Sequence, residues 1–313
     1  MPPSTLSTRP VLWPWRAFRR LVAGSIGLVG MGLLGVAIAG QAPMDGAGGG
    51  FATRIPGTTV DLAMVPIANP APAGEARGEE PAFWISATEV TWDMFDAFVF
   101  EQLEAELPEG VDAMSRPTKP YITADRGFGH DGYPVGSVSL RAARGFCEWL
   151  TLHTGRKWRL PTAGEWTHAA LGGARGPWHH GSSAEGLEAV AWFKDNARRK
   201  THPVAGLAPN GFGLYDVHGN VAEWVETEDG AGQLMGGAYL DRAADLAVMA
   251  AKTPTSAWNR SDPNLPKSVW WLADGPFAGF RVVCESPPPA DDPASDAQTP
   301  TDTPQDSTGT SRP

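Results

Sequence analysis

Two cysteines and seven histidines carry the thiol and imidazole chemistry open to this 313-residue chain. Cys147 and Cys284 make an even count, which in an exported chain favours a disulfide; two buried free thiols are the other reading. Of His130, His153, His168, His179, His180, His202 and His218, only His179 and His180 are neighbours. Adjacent side chains point apart in most backbones, so the spacing gives little support to a His/carboxylate metal centre. Thirteen tryptophans can serve cores or ligand clefts, because each joins a large apolar body to a polar N–H. Core packing in a loop-rich fold is the commoner use. The formal charge of -10 argues against nucleic-acid binding, which needs a basic face, although part of that charge sits at the C-terminal end.

The elements that would position these groups are short. Residues 59–67 alternate β-formers and predict a first strand, and 82–87 a second, with a Pro/Gly/Ala/Glu loop between. Thr91 is placed to cap a helix over 92–104, with Phe95, Phe98, Val99 and Leu103 on one stripe. Residues 108–133 read as loop. Ser139 caps a second helix, in which Ala143, Phe146, Cys147, Leu150 and His153 keep helical spacing and Gly155 marks the stop. Thr162 and Glu165 form a capping box for a third helix that ends at Gly172-Gly173. Beyond it, Asn210-Gly211, His218-Gly219-Asn220 and Gly236-Gly237 are turn chemistry between short strands. No internal repeat and no βαβ alternation appears. The pattern predicts a loop-rich α+β domain.

The ends read differently. Residues 21–40 carry no charge and match the length needed to span a bilayer core. Arg9, Arg16, Arg19 and Arg20 precede them, and the next basic residue is Arg54. Positive-inside logic then puts residues 1–20 in the cytoplasm and the remainder on the extracytoplasmic side. Trp13 and Trp15 suit an interfacial belt. Ala37-Ile38-Ala39 would serve a signal peptidase, but the apolar run is long for a signal sequence, which favours an uncleaved anchor. Both readings export the domain. Residues 41–58, Gly-rich at first, read as a linker. Residues 286–313 are Pro, Asp, Ser and Thr, too polar to fold, and read as a disordered acidic tail. One domain over 59–285 is left.

Within it, several blocks together resemble the formylglycine-generating-enzyme, or sulfatase-modifying-factor, family. They are Ala87-Thr88-Glu89-Val90-Thr91, Pro134-Val135 with Val138-Ser139, Phe146-Cys147-Glu148-Trp149-Leu150, and Arg159-Leu160-Pro161-Thr162 with Glu165-Trp166. Then follow residues 210–224, NGFGLYDVHGNVAEW, Gly236-Gly237-Ala238-Tyr239, and Gly279-Phe280-Arg281-Val282. The blocks keep the family's order. The resemblance implies an α+β, C-type-lectin-like fold with little regular secondary structure. It also implies a disulfide from Cys147 to Cys284, the latter two residues beyond the family position, which is held here by Val282.

The oxidising members of that family bind copper(I) through two cysteines after the GGS/A-Y block, soft thiolates suiting a soft ion. Here those positions fall on Asp241 and Leu246. The serine before the pair falls on Ala238, an arginine beyond it on Ala250, and a cleft tryptophan on Ala222. No copper is expected on that set. Relatives with iron-dependent sulfoxide chemistry carry an additional His-rich helical domain, which no segment here supplies. The resemblance further implies structural calcium on the turn 216–223, from the Asp216 and Glu223 side chains and the Gly219 and Val221 carbonyls, hard oxygens being what calcium takes.

A non-oxidising, membrane-tethered binding or scaffold module for a protein or small ligand is therefore the leading expectation. Its cleft would be floored by residues 238–250 and by Trp258, Trp270 and Trp271. An oxidoreductase acting on protein cysteine is the second reading. A hydrolase using Asp241 is the third, opposed by reading Asp241, Arg242 and Asp245 as a solvated charged face.

Overall fold

The computed structural model describes residues 49–69, 81–100, 117 and 125–287. The apolar segment 21–40, linker residues 41–48 and nearly all of the acidic tail lie outside them. Among the described residues no helix is long and apolar enough to cross a membrane.

Three strands open the domain: β1 (Phe51–Arg54), β2 (Asp61–Ala68) and β3 (Pro81–Ser86). They form an antiparallel meander in which Met64 pairs with Phe51 on one side and with Ser86 on the other. β1 corrects the expectation of a linker reaching to residue 58. Thr53 is buried between the exposed Ala52 and Arg54, and the four residues pair with β2 over their whole length.

Helix α1 (Trp92–Phe100) follows, and residues 101–104 of the expected span lie outside the described residues. Thr91 does not cap it as expected. Its hydroxyl donates to the Asp93 carboxylate, while Phe95 N–H bonds the Thr91 carbonyl. Helix α2 (Leu140–Thr154) is capped as its sequence predicts. Ser139 Oγ accepts from Ala142 N–H at 3.1 Å, and Gly155 closes the helix in the left-handed region. β4 (Trp158–Arg159) leads into α3 (Ala163–Leu171), which carries the expected capping box: Thr162 Oγ1 accepts from Glu165 N–H, and Glu165 accepts from Thr162 N–H at 2.8 Å. Arg159 grips the same carboxylate with two nitrogens, each at 2.7 Å. Burial works against ionising Glu165, but these bonds outweigh it and hold its carboxyl below the usual range.

The second half supplies β5 (Ala222–Val225), β6 (Gln233–Met235), β7 (Ala251–Lys252), β8 (Ala278–Gly279) and β9 (Val283–Cys284). Two sheets result, ordered β1-β2-β3-β9-β4 and β7-β6-β5-β8. The segment 278–284 belongs to both. Ala278 and Gly279 run parallel to β5, and Val283 and Cys284 pair with β3 and β4. Arg281 therefore lies between the sheets, beside Glu223 of β5.

The core follows from the aromatics. Phe95 has Phe98, Phe146, Phe280 and Trp271 around it at ring distances of 5.5 to 5.9 Å, mostly edge to face. Each such pair adds roughly 0.5–1.5 kcal/mol beyond its area burial. These contacts tie α1, α2 and the 278–284 segment into one interior.

Candidate functional site

Arg281 is fully buried, and all its bonds are accounted for by residues far off in the chain. Nε and Nη2 donate to the two carboxylate oxygens of Glu223 at 2.6 and 2.7 Å, Nη1 to the Ser86 carbonyl at 3.0 Å, and Nη2 also to the Tyr215 carbonyl at 2.9 Å. Trp166 Nε1 donates to Glu223 at 2.7 Å. A buried ion pair overcomes its desolvation only with this kind of bidentate, fully bonded geometry.

Two more acids are buried beside the pair. Glu89 accepts from Val221 N–H at 2.9 Å and from Asn220 Nδ2 at 2.8 Å. Asp216 accepts from Ala205 N–H at 2.7 Å through Oδ2, while Oδ1 has no partner. One guanidinium thus faces three carboxyl groups. Burial first, then the neighbouring Asp216 and Glu223, raises the Glu89 pKa well above the carboxylate range; burial pushes Asp216 up to about 6. The turn that makes this possible runs close to its neighbours. Asp216 and Asn220 both have left-handed backbone, and at Gly219 (φ 81°) a Cβ would meet the Trp192 carbonyl at 2.1 Å.

The Gly236-Gly237 turn carries the next segment away from this cluster. Asp241 folds back on it: Oδ2 accepts from Ala238 N–H at 2.7 Å and pairs with Lys252, and its carbonyl accepts from Lys194 N–H at 2.9 Å. Its side chain is only 16% exposed, so Asp241 is not part of a solvated face, whereas Arg242 and Asp245 are exposed. Leu246 is fully buried against Trp178, Leu187, Val190 and Phe193. Ala222 and Ala238 are buried as well.

The sulfatase-modifying factor enzyme 1-like domain model matches residues 47–286. The chain belongs to this family. The sulfatase-modifying-factor domain here is 34% identical over 147 residues to the inactive C-alpha-formylglycine-generating enzyme 2 of Bos taurus, covering 42% of this chain and 46% of that protein. It is 36% identical over 149 residues to the formylglycine-generating enzyme of Mycobacterium tuberculosis, covering 44% and 45%. The chain thus spans less than half the length of either relative. Among solved structures, the Treponema denticola variable protein 1 shares the fold with TM-score 0.54 and 21% identity, over 76% of this chain and 99% of that one. The α+β fold of the formylglycine-generating type is therefore established.

For this family member the expected disulfide needs correction: Cys147 and Cys284 are both buried free thiols. Cys284 Sγ turns to the Ser286 carbonyl at 3.1 Å, and burial raises both thiol pKa values. Trp270 and Trp271, expected on a cleft floor, belong to the main core, with Trp271 stacked on Trp92 at 6.3 Å. Trp258 packs on Trp224 and Phe277. The calcium set divides. Asp216 keeps a buried, unpartnered oxygen that suits a hard cation, whereas both oxygens of Glu223 are taken by Arg281. No fit to calcium through Glu223 exists in this arrangement.

Among the described residues no three His, Cys, Asp or Glu side chains gather in a metal-holding group. His179 and His218 stack at 5.0 Å, but His218 Nδ1 bonds the Leu246 carbonyl and its Nε2 accepts from His179 N–H. Sequence reasoning gave roles to Asp216 and Glu223 and missed those of Glu89, Asn220 and Arg281. The signal was present, since all three lie in the blocks that carry the family resemblance.

Proposed function

We propose that this domain is a non-oxidising binding or scaffold module, exported and tethered to the membrane through residues 21–40. The observation that carries the first part is the state of the two family cysteine positions. Asp241 is committed to Lys252 and to the Ala238 amide, and Leu246 to the core. Neither supplies sulfur to copper(I), and a carboxylate engaged by an ammonium is a poor ligand for a soft ion. The similarity to bovine and murine proteins named as inactive formylglycine-generating enzymes is consistent with this reading.

The test is direct. The purified chain, incubated with copper, oxygen and a Cys-x-Pro-x-Arg peptide, should give no formylglycine, and metal analysis should find no stoichiometric copper. Formylglycine in that assay would make the protein an oxidoreductase acting on protein cysteine. Tethering is tested separately: carbonate extraction of cell membranes should leave the chain in the pellet, and external protease should reach the domain. Its partner is a protein or small ligand outside the membrane, with no role for nucleic acid.

Calcium is proposed for the 216–223 turn in a narrower form, on Asp216 Oδ1 with the turn carbonyls of Gly219 and Val221, while Glu223 stays with Arg281. Calcium at millimolar concentration should raise Tm relative to a chelator, and Asp216→Asn should abolish the gain. An equal gain in that variant would remove Asp216 from the site.

A further inference from the structure

Seven non-glycine residues among those described have left-handed backbone, and three are arginines: Arg126 (φ 52°), Arg198 (φ 54°) and Arg199 (φ 60°). Asn and Asp enter this region with help from their own short polar side chains; arginine has no such help and is strained there. Strain of this kind persists where surrounding structure imposes it, and it concentrates at ligand sites.

The three arginines come from two loops that are tied together. Val204 N–H bonds the Gly132 carbonyl at 2.9 Å, Asn220 N–H bonds the Trp192 carbonyl at 2.7 Å, and Tyr239 N–H bonds the Asn220 carbonyl at 2.9 Å. Phe128, next but one to Arg126, packs edge-on against Tyr239 at 5.7 Å. Burial raises the Tyr239 pKa, and the positive charges of Arg126 and Arg199, one from each loop, act against that rise. The guanidinium-bearing residues are exposed, and Lys200 stands half-buried beside them.

Among the described residues no carboxylate forms an ion pair with Arg126, Arg198, Arg199 or Lys200. The nearest acid in the chain to Arg126, Asp125, accepts from Gly127 N–H instead, and Arg126 spends one nitrogen on the Ala273 carbonyl at 2.6 Å. On a chain of net charge -10, an uncompensated arginine group held in a strained backbone asks for an anion. Guanidinium forks match tetrahedral oxyanions with paired N–H donors.

The geometry points to a binding site for a phosphate or sulfate group of a small ligand, formed by Arg126, Arg198 and Arg199 with Lys200 on the two loops that meet over Tyr239. This names a ligand chemistry for the binding-module reading and rests on that reading.

The test is thermal melting of the full chain, followed by intrinsic fluorescence, with inorganic phosphate, inorganic sulfate or acetate at one constant ionic strength. Phosphate or sulfate should raise Tm in a saturable way and acetate should not; which of the two acts at lower concentration identifies the group. Arg126→Ala and Arg199→Gly should each weaken the half-saturating concentration about tenfold. Arg199→Gly should also melt about 2–4 °C higher without ligand, because glycine relieves the left-handed strain. Equal shifts with acetate, equal shifts in both variants, or a lower unliganded Tm for Arg199→Gly would each overturn the site. Formylglycine production bears on the module reading alone and leaves this titration to be judged separately.

Discussion

Glu223 answers to one guanidinium, and that guanidinium also has Glu89 and Asp216 beside it. Removing its charge leaves three buried carboxyl groups without a cation. Breaking one side of a buried pair costs about 3–5 kcal/mol, so Arg281→Met should lower urea-unfolding stability by that order at pH 7. Arg281→Lys should recover little of it, because a single ammonium cannot serve both Glu223 oxygens and the Ser86 and Tyr215 carbonyls. Full recovery by lysine would mean that charge alone, not the fork geometry, holds the cluster. The partly exposed pair of Asp241 and Lys252 belongs to another class. Losing it through Lys252→Met should cost no more than about 1 kcal/mol.

Among the elements, the helix ends carry most of what the sequence makes legible. Ser139, Gly155, Thr162 with Glu165, and Gly172 all act as their types predict, because a cap is a local event between residues a few positions apart. Thr162→Ala should therefore cost about 1 kcal/mol in urea unfolding, more if Arg159 loses its hold on Glu165 as well. β4, β7, β8 and β9 could not be read, since a two-residue strand shows no period. β1 was hidden behind a Gly-rich run that resembles a linker. The site was legible where it follows the 216–223 turn and illegible where it depends on Arg281 crossing between sheets, a contact set by topology alone. The cysteines show the same limit. Count and family position favour a bridge, while the folded chain keeps two inert thiols. A thiol reagent should label neither in the native protein and both after unfolding without reductant; no labelling after unfolding would restore the bridge.

For the molecule as a whole, the buried ionisable groups set opposing responses to acid. His218 is lowered to about 3, by burial and then by His179, and His179 to about 4, by burial and then by His180. The unfolded chain takes up protons at histidine near pH 6.5, well before the folded chain does. Stability from these two is therefore complete above pH 6.5 and lost as pH falls toward 4. A fully linked buried histidine such as His218 contributes a slope of up to about 1.4 kcal/mol per pH unit. Asp216 and Glu89 act with the opposite sign. Their raised folded values make the native state the better proton binder, so their contribution is present in acid and is lost as pH rises, through about 6 for Asp216. The two effects overlap below pH 6 and partly cancel. His218→Asn separates them, because it keeps a donor for the Leu246 carbonyl and removes the titrating ring. Between pH 7 and pH 5 the variant should lose less stability than the parent, and its Tm should level off or rise as the acids take up protons. Parallel curves for the two proteins would show that the stacked histidines do not govern the acid limb.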